Sequence, residues 1–73
     1  MASIDDTKFL RRLGDRLRER REDRGLTQDQ LAQQCGLHRT FIGSVERGER
    51  NIAVLNLRKI AQVLRVSLSE MFG

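Results

Sequence analysis

Arg39, Thr40 and Ser44 lie in a stretch whose apolar residues, Ile42 and Val45, recur at helical spacing. On a helix the apolar pair turns inward, and Arg39, Thr40, Gly43 and Ser44 are left on the outer face. A guanidinium presents a rigid fork of donors suited to paired acceptors, and a hydroxyl offers one donor and two lone pairs. The chemistry available is therefore directional hydrogen bonding to another molecule, with no bond made or broken. Arg47, Arg50 and Asn51 cluster in and after the turn "ERGERN", where they suit anionic oxygens. Catalysis is not expected. No nucleophile stands with a nearby base, no glycine-rich phosphate loop occurs, and no cluster of metal-ligating residues is present. His38 is the single histidine and reads as a helix-start residue, and Cys35, the single cysteine, reads as a small buried apolar group. No catalytic residue, metal ligand or cofactor is assigned.

The elements that must position these residues are legible from periodicity and stop signals. Seventy-three residues make one domain, 1–73, whose core is marginal for its size. Fourteen basic residues against ten acidic ones give a net charge of +4 and a pI near 10.6, and all the basic residues but Lys8 and Lys59 are arginine. That balance favours a polyanionic partner. No apolar run approaches a membrane span, "MASIDDTKF" lacks the pattern of a secretory signal, and a lone cysteine suits a reducing compartment. The expectation is a soluble cytoplasmic protein with no membrane partner. Leu10, Leu13 and Leu17 predict an amphipathic helix from about residue 8 to 24, its other faces rich in arginine, stopped by Gly25. Thr27 with Gln30 is a capping box, and Leu26 with Leu31 a hydrophobic staple, so a second helix runs to about Gln34 and ends at Gly36. Leu37 and Ile42 repeat the staple around His38, opening a third helix to about Arg47, stopped by Gly48. The stripe Val54, Leu57, Ala61 and Leu64 predicts a fourth helix at about residues 53–64. Ser67 with Glu70, and Val66 with Met71, repeat box and staple for a last short helix. The fold class is all-α, with five helices.

Two short helices joined by a short turn containing Gly36 form a helix-turn-helix, at about residues 27–47. Gly36 permits the positive φ of the turn, and Ala32 keeps the crossing close. The second helix of such a pair fits the major groove of duplex DNA with its N-terminal residues at base edges. Arg39 would grip O6 and N7 of a guanine, Thr40 would offer its hydroxyl or methyl, and Ser44 would add a hydroxyl to the same base-reading face. Arg47, Arg50 and Asn51 would hold backbone phosphates.

These residues resemble the Cro and phage-repressor superfamily, the xenobiotic-response-element-type regulators. The shared features are "TQ" at 27–28, "LA" at 31–32, "GL" at 36–37, "FI" at 41–42 and "VERG" at 45–48, and the likeness runs from about Leu13 to Phe72, including "LRKIAQVLRVSLSEMF". The narrower run "GLHRTFIGSVERGERNI" resembles the controller proteins of restriction–modification systems. The resemblance implies a compact lambda-repressor-like DNA-binding domain and a transcriptional regulator, repressor or activator, acting on its own promoter. It implies that Gln28 binds a backbone phosphate and that Arg21 and Glu46 form a structural ion pair tying the first helix to the third. It leaves RNA polymerase as a further partner. Three positions depart from the pattern: Arg65 replaces the usual glycine before Val66, Ala53 replaces a Ser or Thr cap, and Phe41 stands where controller proteins often carry tyrosine.

One helix reads too few base pairs to single out a genomic site, so a homodimer on a palindromic operator is expected. The chain has no separate ligand-binding domain, so no small-molecule ligand is assigned and the dimer contact must come from this domain. Val63, Val66, Leu68, Met71 and Phe72 exceed what a short terminal helix needs, which predicts a dimerisation surface at about residues 63–72. The rival reading is an antitoxin or phage-type repressor of the same fold whose main role includes binding a protein partner. The outer face carrying Arg39 and Thr40 favours DNA.

Overall fold

The structure, a computed structural model, describes residues 4–72. Five helices follow one another: α1 Ile4–Asp23, α2 Gln28–Cys35, α3 Arg39–Glu46, α4 Val54–Leu64 and α5 Leu68–Phe72. No strand occurs among the described residues, and no helix there is long and apolar enough to cross a membrane. α1 starts earlier than its leucine stripe requires. Asp5 and Asp6 occupy its first turn and Arg20 and Arg21 its last, so charge and helix dipole agree at both ends.

Local chemistry sets the remaining boundaries. The Thr27 hydroxyl accepts from the Gln30 N–H at 3.1 Å, and the Gln30 side chain accepts from the Thr27 N–H at 2.8 Å, which closes the capping box of α2. Gly36 ends α2 with φ 71°, and the Leu37 N–H then reaches back to the Ala32 carbonyl at 2.9 Å. Ala53 precedes α4 with an extended backbone and no side-chain cap. Arg65 ends α4 at φ 59°, a left-handed conformation that costs a residue with a Cβ about 1–2 kcal/mol. At α5 only half of the box forms. The Ser67 hydroxyl accepts from the Glu70 N–H at 3.2 Å, while the Glu70 carboxylate takes the Ser67 hydroxyl at 3.3 Å.

The core joins Leu13 and Leu17 of α1, Leu31 and Ala32 of α2, Ile42 and Val45 of α3, Leu57, Ile60, Ala61 and Leu64 of α4, and Met71 of α5. Two expectations are corrected. Val54 is 63% exposed and the inward stripe of α4 is Leu57–Ile60–Ala61–Leu64, because Val54 precedes the turns that pack on α2 and α5. Met71 is 1% exposed and plugs the core where α5 meets α1 and α4, so it cannot line a dimer surface. Val63, Val66 and Leu68 are half-buried against the same core, so most of the apolar C-terminal segment closes its own domain. Phe72 stays exposed and stacks on Phe9 with centroids 5.9 Å apart.

Candidate nucleic-acid interface

α3 is held from behind by two devices. The first is contact between main chains. A Cβ on Gly14 of α1 would lie 2.5 Å from the carbonyl oxygens of both Val45 and Glu46, so only glycine lets α1 press onto the end of α3. The second is a buried ion pair. Arg21 Nε donates to Glu46 Oε2 at 2.6 Å and Arg21 Nη2 to Glu46 Oε1 at 3.0 Å, a bidentate fork, while Nη1 donates to the Leu26 carbonyl at 2.7 Å. The hydrogen bond to Glu46 pushes the Arg21 pKa above its ordinary value, against the opposing effect of burial. Gln28 joins the pair by donating from Nε2 to Glu46 Oε1 at 3.1 Å. Among the described residues no buried side-chain polar atom lacks a partner.

The outer face of α3 is then open. Arg39 and Thr40 are exposed in its first turn, and neither has a side-chain partner among the described residues. Ser44 is half-buried, and its hydroxyl donates to the Phe41 carbonyl at 2.8 Å, which leaves it lone pairs with which to accept. Arg47 is exposed and bonds Glu49 at 3.0 Å. The Arg50 guanidinium lies over the Phe41 ring, 5.5 Å from its centroid, a cation–π contact that reaches back to α3. Asn51 is exposed beside it in sequence.

A Cβ on Gly43 would lie 3.1 Å from Arg47 Nη1 and 3.3 Å from Gln28 Oε1, so these two groups flank the bare backbone of Gly43. They also line one open cleft of about 480 Å³ with Arg11, Asp15, Arg18, Glu46 and Glu49. The structure thus brings Gln28 and Arg47 together on one side of α3, and sets Arg50 against Phe41. Sequence reasoning set Gly43 on the open outer face, whereas it is buried under Gln28 and Arg47, and it did not find Gly14, the bond from Gln28 to Glu46 or the Arg50–Phe41 contact. A glycine inside the helical pattern of α1 was the one available signal, since it weakens a helix unless close packing requires it.

The sequence pattern of the HTH_3 helix-turn-helix family matches residues 17–71. The chain is 42% identical over 71 residues to the control protein C.MunI of a Mycoplasma species, covering 96% of this chain and 93% of that one. It is 44% identical over 59 residues to the control protein C.SmaI of Serratia marcescens, covering 81% of this chain and 70% of the other. Among solved structures, the restriction-modification controller protein C.AhdI from Aeromonas hydrophila superposes with a TM-score of 0.89 at 43% identity, covering 93% of this chain and 99% of that one.

Proposed function

The chain belongs to the HTH_3 helix-turn-helix family, whose members are DNA-binding regulators of transcription rather than enzymes, and from that premise we propose a homodimeric controller protein of a restriction–modification system, acting on its own promoter. The observation that carries the reading is the outer face of α3, where Arg39 and Thr40 stand exposed on a helix locked by Arg21 and Glu46. Near-complete coverage of relatives named as controller proteins supports it.

In this mechanism the N-terminal turn of α3 enters the major groove. Arg39 pairs with O6 and N7 of a guanine, Thr40 contacts the neighbouring base, and Ser44 accepts from an exocyclic amino group. Gln28 keeps one amide hydrogen on Glu46 and turns the other to a phosphate. Arg47 exchanges Glu49 for a second phosphate, and Arg50 and Asn51 hold the backbone beyond it. A two-fold dimer spaces its recognition helices about 34 Å apart, one turn of DNA. Its contact draws on the apolar residues that remain accessible, Val54 and Leu55 at the start of α4, with Phe72 and the outer edges of Val63, Val66 and Leu68. Bound at a promoter in the cytoplasm, such a dimer would meet RNA polymerase as its protein partner.

The test is a titration against duplexes from upstream of the protein's own gene, with sedimentation at micromolar protein. The expected result is a dimer that prefers one palindromic site, with affinity falling as salt rises. Equal affinity for scrambled duplex, or one monomer per palindrome, would overturn the reading.

A further inference from the structure

We propose that α1 supplies a further contact to the DNA backbone: Arg11 takes a phosphate adjoining those held by Gln28 and Arg47, and Gly48 is the residue that brings it there. The proposal rests on the DNA-binding reading and adds a residue from outside the helix-turn-helix. The first observation is a close approach. Gly48 has φ +73°, and a Cβ there would lie 2.8 Å from Arg11 Cγ, 2.9 Å from its Cα and 3.0 Å from its backbone nitrogen. The main chain of α1 at Arg11 is therefore pressed against the turn that carries Arg47, Arg50 and Asn51. The second observation is the cleft itself, where Arg11 shares the lining with Gln28 and Arg47.

Charge pairing within the cleft singles Arg11 out. Of the three other arginines in or behind it, Arg18 bonds Asp15 at 3.2 Å, Arg47 bonds Glu49 at 3.0 Å and Arg21 bonds Glu46 at 2.6 Å. Arg11 is exposed and has no carboxylate partner among the described residues. The three carboxylates keep a polyanion from sinking into the cleft, so the DNA backbone runs along its rim, where an unpaired guanidinium gains most from a phosphate.

The experiment compares the full-length protein with Arg11→Gln and with Arg65→Gln, which removes one equal charge at the far end of α4. Each is titrated against operator and scrambled duplexes over a range of salt concentrations. Arg11→Gln is expected to weaken both duplexes alike, about 5- to 10-fold near 0.1 M salt, and to make the slope of log K against log salt shallower by about 0.9. A duplex set with single phosphates neutralised as methylphosphonates should show wild-type sensitivity at one position that Arg11→Gln lacks. Equal melting temperatures exclude unfolding as the cause. A wild-type slope for Arg11→Gln, or the same small change from Arg65→Gln, would overturn the proposal while leaving regulation intact. No salt-dependent binding by the wild type would overturn both.

Discussion

Arg39 holds its guanidinium in solvent, and no carboxylate among the described residues competes for it. Arg39→Ala should therefore cost about 1–3 kcal/mol of operator binding and relax the preference at one base position. Selection from a randomised operator library checks this, and an unchanged ranking of sequences would remove Arg39 from the base-reading set. Glu46 is a different kind of residue. Its side chain is 2% exposed, and Glu46→Ala would strand the Arg21 guanidinium beneath α3. Breaking one side of such a pair costs about 3–5 kcal/mol, enough to unfold a domain of this size. Joint replacement by Met at 21 and Leu at 46 should recover much of the melting temperature without restoring the Gln28 contact. Cys35 contributes to the pH dependence of stability on the alkaline side. Burial pushes its thiol pKa up, opposed by Lys59, so the folded state keeps the proton longer than the unfolded chain. That stabilisation is complete below the ordinary thiol range and is lost as pH rises through the raised value. Cys35→Ala should flatten the alkaline limb of a stability profile, and a parallel limb would refute the assignment.

Element boundaries in this chain come from chemistry within a few residues, and those parts were legible. The Thr27–Gln30 box and the stops at Gly25, Gly36 and Gly48 follow from adjacent residues, and the awkward positions of Arg65 and Ala53 stand out as departures from the family pattern. What periodicity could not reveal is which neighbour covers a face. It grouped Val54 with the core of α4, and the crowding of apolar residues at the C-terminal end set Met71 on an outer surface, because neither a spacing nor a count says where the packed partner lies. The site divides in the same way. Arg39 and Thr40 were readable as polar residues that no core needs, whereas the bond from Gln28 to Glu46 depends on α2 and α3 meeting in space. Substitutions at the boundaries test the local account. Arg65→Gly should stabilise by up to about 1 kcal/mol by relieving the left-handed strain, and Ala53→Ser should add about 1 kcal/mol by supplying a cap to a backbone already extended. Gly14→Ala should do the opposite and lower the melting temperature sharply, since its Cβ would meet backbone oxygens that cannot move aside without shifting α3.

The whole molecule is a basic domain of 8.4 kDa whose accessible apolar residues include Phe9, Val54, Leu55 and Phe72. A dimer built on the start of α4 predicts that Leu55→Asp shifts sedimentation toward monomer and keeps full helicity, because Leu55 is 65% exposed. Met71→Asp should instead unfold the domain, as a charge would enter the core. Dimeric Leu55→Asp would send the contact elsewhere on the surface. The close approach at Gly14 has a consequence for how such a regulator diversifies. α3 is fixed at its C-terminal end, by the Val45 and Glu46 carbonyls and the Glu46 side chain, whereas Arg39 and Thr40 stand in its first turn. Under the proposed function, scaffold and reading head therefore occupy different ends of one helix and can change independently. Arg39 and Thr40 are both exposed, so substitutions there should cost little folding stability, and on the proposed base-reading role each combination would spell a new operator on an unchanged frame. On that reading a new promoter could be followed with one or two codon changes, while a change at Gly14, or at Arg21 or Glu46 singly, costs the fold.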